Sequence, residues 1–246
     1  MTNSIWLGIL AICSYLFGNI NWALLISKYK KSDIRKMGSG NPGTLNMSRN
    51  FGLKTGLLTF FLDVLKGAVP TLIAFFVFKD KTMDKSLFVL TDLSMYLCGL
   101  FVVLGHIYPV VLKFKGGKGI ASTIGVLLVC EFTNGFVWGL VFFMALVCAV
   151  IFIYITEFGA MGSFIAITPS AIMGGIRLFL RYSNIKDLRT TILYVISSML
   201  ILLLCFFTWF AHRKNIHRML SGDEHPTSIK QMLIKAKLKK QEEKNK

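Results

Sequence analysis

The chain has 246 residues, 54% of them hydrophobic, with a mean hydropathy of +0.62 and a formal charge of +16. That is too apolar for a soluble domain of this length. At about 20 apolar residues per helical crossing it leaves room for roughly six or seven membrane spans and no soluble appendage. The lysines and arginines cluster beside the hydrophobic runs, which is the positive-inside bias of a membrane protein rather than a nucleic-acid footprint.

The first run, 4–26, has neither a basic stretch before it nor a small-residue cleavage site after it, and reads as a retained helix. A basic, glycine-rich segment follows: Gly38-Ser39-Gly40-Asn41-Pro42-Gly43, then Asn46 and Arg49. The second run, 56–78, carries Asp63 and Lys66 at i, i+3. Charges inside a span are costly and pair or serve function, and here an ion pair bracing the preceding glycine segment is expected. The third run, 87–104, leads into Gly105-His106-Ile107-Tyr108-Pro109 and then Phe114-Lys115-Gly116-Gly117-Lys118-Gly119. The fourth, 120–130, is short for a crossing, so a helix lengthened at its ends and a re-entrant hairpin are both open; residues 131–135, ending in Asn134-Gly135, read as a tight turn. Runs at 136–155, 159–176 and 191–210 complete the set, with Glu157 expected to cap the helix after it. The last run is followed by His212-Arg213-Lys214-Asn215-Ile216-His217-Arg218 and by Gly222-Asp223-Glu224. From 228 to 246 the chain is a basic tail, with Ile229, Met232, Leu233 and Ala236 at helical spacing. An amphipathic surface helix and a solvated tail are equally open there.

These runs predict an all-α polytopic membrane fold with about seven transmembrane helices, a single domain over 1–227 and an appended tail over 228–246. Seven crossings put the three polar segments and the tail on one face. That face holds twenty lysines and arginines and the opposite one seven, with Lys66 inside a helix. The count predicts a cytoplasmic motif face and an outside N-terminus. Cys13, Cys98, Cys130, Cys148 and Cys205 lie in or beside apolar runs without CxxC spacing and read as small buried hydrophobes.

Two strings imitate nucleotide motifs and fail on context. Gly38, Gly40 and Gly43 match a dinucleotide fingerprint, but no strand precedes them and Pro42 interrupts them; Gly116-Gly117-Lys118-Gly119 lacks the upstream glycine and the hydroxyl of a P-loop. What survives is more general. Two glycine loops on one face, each with basic residues and hydroxyl or amide donors, fit the binding of phosphate through backbone amides and cations. His106 lies close to Lys115 and Lys118, and His212 and Asn215 share a face if the last helix continues. No ligand set calls for a metal or other cofactor. Polar residues gather at one end of the spans rather than lining a path through the midplane, which argues against a transporter.

In these motifs the chain resembles the bacterial acyl-phosphate:glycerol-3-phosphate acyltransferases, the PlsY family. The resemblance rests on the segment from Asp33 to Arg49, on Asp63, Lys66 and Gly67, on Gly105 to Ala121, and on His212 to Glu224. It implies transfer of a fatty acyl group from acyl phosphate to the 1-hydroxyl of sn-glycerol 3-phosphate in phospholipid synthesis. It further implies no cofactor, a place in the bacterial inner membrane among its lipids, and a functional link to the enzyme that makes acyl phosphate. On this resemblance Ser39, Arg49, His212 and Asn215 are catalytic, and the place of His106 beside Lys115 and Lys118 adds it to them. Gly40, Asn41, Asn46, Lys115, Gly116, Gly117, Lys118 and Gly119 bind substrate. Asp63, Lys66 and Glu224 are structural. His106, His212 and a substrate phosphate oxygen all remain open as proton acceptor. The chain departs from the family pattern at Leu45, where a hydroxyl is usual, at Asn19 and Asn21, and in the tail.

Overall fold

The first hydrophobic run does not form one helix. In the computed structural model, which describes residues 2–83, 87–223, 227 and 229–244, α1 (Thr2–Gly18) ends where the Asn19 amide turns back onto the Tyr15 carbonyl at 2.6 Å. The second helix, α2 (Trp22–Tyr29), starts from Asn21, whose side chain accepts the Leu24 amide at 3.0 Å. Asparagine is poor inside helices and good at their N-caps, so two of them two residues apart stop one helix and start the next. Together the pair still makes a stretch of 27 residues, Asn3–Tyr29, apolar and long enough to cross a membrane.

The remaining elements are α3 (Thr44–Phe51), α4 (Leu53–Phe78), α5 (Leu90–Ile107), α6 (Ile120–Asn134), α7 (Phe136–Thr156), α8 (Gly159–Tyr182), α9 (Leu188–Ala211), α10 (Arg213–Leu220) and α11 (Ile229–Lys244). The protein is an all-α polytopic membrane protein. Six of its described spans are long and apolar enough to cross a bilayer, and α6 is a shorter apolar seventh.

Three elements differ from the sequence expectation. The fourth run takes one of its two open forms, a single helix lengthened to 15 residues, but the expected turn at 131–135 shrinks to Gly135, whose φ of +142° only glycine tolerates readily. Glu131 is what lengthens the helix: it is buried and pairs with Arg177. The run at 159–176 likewise continues to Tyr182, so Arg177 and Arg181 belong to α8 rather than to a loop. Arg181 reaches Asp92 at 2.9 Å, and Asp92 also accepts the Tyr182 hydroxyl at 2.8 Å. Glu157 does not cap α8; it ends α7 in the left-handed conformation, with φ of +60°.

Packing centres on α5. In its most apolar window 61% of the residues are buried, against 17% in α7, whose Phe136, Val137, Val150 and Ile155 face outward where lipid would be. Without a hydrophobic drive between helices in lipid, small residues let backbones close on each other. An added Cβ on Gly18 would strike the Val102 carbonyl, and one on Gly105 the Tyr15 carbonyl, so α1 and α5 cross glycine to glycine. Gly67 of α4 lies against the Ser122 carbonyl, and Gly125 of α6 against that of Val64. Substituting Gly67→Val should therefore lower thermal stability in detergent by about 1–3 kcal/mol or more. Gly8→Val, where nothing lies within 4 Å of the added carbon, should leave it near wild type. Equal melting temperatures for the two variants would overturn this account of the α4–α6 contact.

Candidate active site

Motif one is folded by Asn46. This side chain is 2% exposed; its Oδ1 accepts the Ser39 amide at 3.2 Å, and its Nδ2 donates to the Met37 carbonyl at 3.0 Å and the Ile34 carbonyl at 3.3 Å. Gly38 packs on the same oxygen at φ of +54°. Asn46 was expected to bind substrate. Its polar atoms are instead engaged inside the loop, and the residues it turns outward are Ser39, Gly40 and Asn41. Arg49 leaves on α3 and donates to the Thr227 carbonyl at 3.0 and 3.3 Å, while the Thr227 amide donates to the Glu157 carbonyl at 3.0 Å. Glu224, expected to be structural, lies outside the described residues.

Motif two doubles back on the end of α5. The Gly116 amide donates to the Ile107 carbonyl and the Gly117 amide to that of His106, each at 3.1 Å. A side chain at Gly116 would run into the His106 carbonyl, and one at Gly117 into His106 Nε2. These two amides were expected to hold phosphate, but they are spent in closing the loop. The glycines allow close approach to His106. Gly119, at φ of +86°, opens α6, whose positive dipole end therefore lies at the loop.

Behind that loop lies the buried pair of α4. Lys66 Nζ is 3.0 Å from Asp63, 2.7 Å from the Ile20 carbonyl and 2.8 Å from His106 Nδ1. The pair thus braces motif two and the break in the first span, not motif one as expected.

In motif three the last span stops at His212 rather than running on, and α10 sets off from it. His212 is 5% exposed and its Nδ1 lies 2.9 Å from the Thr208 carbonyl. A carbonyl only accepts, so Nδ1 carries the proton and Nε2 keeps its lone pair. Burial and, second, the charge of Lys118 push this imidazole down to about 4. Lys118 also donates to Asn215 Oδ1, which ties motif two to motif three.

The three loops enclose one cavity of about 350 Å³. Its wall carries Ser39, Gly40, Asn41 and Pro42 from motif one, Phe114 to Lys118 from motif two, and Arg213, Lys214, Asn215 and Arg218 from motif three, with Ile107, Tyr108 and Ala211 between them. Five of these residues are basic and none is acidic. Of the sequence candidates, Ser39, Gly40, Asn41, Lys115, Gly116, Gly117, Lys118 and Asn215 reach the wall. His106 sits behind Gly117 and His212 beside Lys118, while Arg49, Asn46 and Gly119 are not among the lining residues. Sequence reasoning missed Arg213, Lys214 and Arg218 as wall residues, although the basic run after the last span carried the signal.

The state of His212 gives a measurable pH dependence. The unfolded chain binds the proton at the ordinary 6.5, the folded one only near 4, so between those values the unfolded state binds more protons and stability falls with falling pH. The loss is on the order of 3 kcal/mol. Melting curves of wild type and His212→Asn between pH 7 and 4 should converge as the pH drops; parallel curves would overturn the buried neutral assignment.

Comparison with known proteins agrees with this architecture. Residues 8–222 match the model of the family described as glycerol-3-phosphate acyltransferase. The glycerol-3-phosphate acyltransferase of Mycoplasmopsis pulmonis is 34% identical over 222 residues, covering 87% of this chain and 91% of that protein. That of Aquifex aeolicus is 38% identical over 216 residues, covering 88% and 96%. The crystal structure of PlsY (YgiH), an integral membrane glycerol 3-phosphate acyltransferase, in its glycerol 3-phosphate form superposes with a TM-score of 0.67 at 30% identity, covering 89% of this chain and 94% of that one. By fold, by span and by sequence, the chain belongs to the glycerol-3-phosphate acyltransferase family.

Proposed function

We propose that the protein transfers a fatty acyl group from acyl phosphate to the 1-hydroxyl of sn-glycerol 3-phosphate, giving 1-acylglycerol 3-phosphate and phosphate. The observation that carries this reading is the single cavity walled by all three loops, with five basic residues and no acidic one. A donor and an acceptor that both bear phosphate need such a surplus of cations in one place, and an acyl-CoA donor does not need its reacting end there. The wall also includes Phe114, and Val110, Val111 and Phe114 are exposed beside it, an apolar border across which an acyl chain can lie while its head is in the cavity.

An acyl phosphate is a mixed anhydride and arrives activated. The 1-oxygen of the acceptor forms a bond to the acyl carbon, the bond from that carbon to the phosphate oxygen breaks, and the hydroxyl proton ends on the released phosphate. No covalent enzyme intermediate is needed. The wall does the rest by holding two anions together and by stabilising charge on the carbonyl oxygen and the departing phosphate. Lys115, Lys118, Arg213, Lys214 and Arg218 supply the charge, and Ser39, Asn41 and Asn215 supply hydrogen bonds of fixed direction. Arg49 contributes from outside the wall by tying Thr227 to motif one. His106, the Nε2 lone pair of His212, or a phosphate oxygen of a substrate takes the proton.

The decisive assay incubates purified protein with labelled glycerol 3-phosphate and either acyl phosphate or acyl-CoA, followed by lipid extraction. Labelled 1-acylglycerol 3-phosphate should form with acyl phosphate only; product from acyl-CoA alone would replace the donor. Ser39→Ala should lower kcat roughly a hundredfold while the protein still inserts and folds, and near wild-type turnover would remove motif one from the chemistry.

The same reading places the protein in the bacterial inner membrane with the cavity facing the cytoplasm, where water-soluble glycerol 3-phosphate would be drawn on. The support is the twenty basic residues on the motif face against seven on the other. Two of those seven, Arg177 and Arg181, are bound to acidic partners in helices, which sharpens the contrast. In a cysteine-free background, an impermeant thiol reagent applied outside intact cells should label Thr82→Cys and spare Thr44→Cys. Labelling of Thr44→Cys would invert the topology.

A further inference from the structure

The lysine buried in α4 has no place in the steps above, yet it is among the most completely enclosed side chains of the protein, with 1% exposure. An ammonium inside a membrane domain is costly, and it persists where its protons are used. Lys66 Nζ donates to the Ile20 carbonyl at 2.7 Å, one of the backbone acceptors freed by the break between α1 and α2, and to His106 Nδ1 at 2.8 Å. Asp63 compensates the charge at 3.0 Å. It is 3.6 Å from His106 Nδ1, too far for a hydrogen bond to that nitrogen. The Ser122 hydroxyl lies 3.3 Å from the same nitrogen.

An ammonium has protons to give and no lone pair to accept with. The imidazole nitrogen facing it must therefore be the unprotonated one, and the ring proton of His106 sits on Nε2. That atom lies directly behind Gly117, on the rear of the cavity wall, where an added Cβ at Gly117 would strike it. His212 has the opposite tautomer, because its Nδ1 faces a carbonyl. The two histidines of the site are thus set to different tasks by the partners at the same ring position.

We infer that Lys66 is a positioning residue for the anion cavity: by donating to Nδ1 it fixes His106 as the Nε2–H tautomer, a hydrogen-bond donor presented to the Gly117 wall and not a proton acceptor. This rests on the reading that the cavity holds both substrates, and it puts the phosphate of glycerol 3-phosphate against the Gly117 wall. It removes His106 from the candidates for the base and makes it a support for the loop. The same ammonium clasps the break in the first span, so the first, second and third crossings are all registered on the rear of the phosphate site.

The test reads the tautomer directly. Full-length protein labelled with ¹⁵N-histidine in lipid nanodiscs gives separate NMR signals for protonated and unprotonated ring nitrogens, and subtraction of the His106→Gln spectrum identifies His106. The expected result is a protonated Nε2 and a bare Nδ1; a protonated Nδ1 or an imidazolium in the wild type overturns the inference. Lys66→Met alone would leave Asp63 buried and unpaired, so the functional variant is Asp63→Asn with Lys66→Met, in protein matched for folding. In it the His106 tautomer should shift, and the KM for glycerol 3-phosphate should rise roughly tenfold, the worth of one hydrogen bond, with a smaller change in kcat. An unchanged tautomer and an unchanged KM overturn the positioning role. If the double variant does not fold, the wild-type spectrum still decides. If the tautomer is as expected but the KM for acyl phosphate rises instead, the positioning stands and the assignment of the Gly117 wall to glycerol 3-phosphate fails.

Discussion

Close approach of backbones is the constraint on which the rest of this protein depends. In lipid there is no hydrophobic drive to press one apolar helix against another, so association needs tight packing and satisfied polar groups. Gly18 against Gly105 and Gly67 against Ser122 bring α1, α4, α5 and α6 near enough that one lysine side chain can reach across three of them. Larger residues at those crossings would push the helices apart, and Lys66 would lose both its carbonyl and its imidazole. The buried charge and the glycines are therefore one device: the glycines set the distance and the ammonium uses it.

The two ends of the bundle treat charge in opposite ways. At the far end two cations are held by buried acids: Arg177 by Glu131 and Arg181 by Asp92. Those pairs satisfy polar groups in a poor solvent and leave no net field. At the cavity end the lining residues include five cations and no acid, so the field of one sign is kept for something that enters. About fourteen residues of α5, some 21 Å of helix, separate Asp92 from His106, so the two arrangements are far enough apart not to cancel.

Much of this was legible in the amino-acid sequence, and the parts that were not share a cause. The spans stand out because a bilayer demands length and hydropathy, and the three loops stand out because glycine and lysine are out of place between such runs. Hydropathy cannot register polar atoms that are satisfied inside the membrane. Asn19 and Asn21 look like minor interruptions until their side chains are seen ending and starting helices. Glu131 and Arg177 read as loop charges until they are paired, so hydropathy ends both helices too early. The glycine loop stands out in the sequence, but the sequence does not show that the C-terminal end of α5 offers carbonyls to the amides of Gly116 and Gly117. Nor does the sequence show that Asn46 spends its side chain on the Ser39 amide and the Ile34 and Met37 carbonyls, because a residue that folds a loop and one that faces a ligand share the same motif.

The shortness of α6 has its own effect on how a lipid substrate can be reached. Fifteen residues span about 22 Å, against roughly 30 Å of hydrocarbon. Nearly all of α6 is enclosed by neighbouring helices, with Phe132 its one exposed side chain, so the bilayer does not set its length. The start of α6, just beneath Gly119, can then lie several ångströms deeper than the ends of the lipid-facing helices around it. The cavity wall reaches Lys118, two residues before that end of α6, so this part of the wall follows it toward the hydrocarbon. On the proposed reaction, a fatty donor would meet that end of α6 without being lifted fully out of its leaflet, and the small, water-soluble acceptor would come down to it.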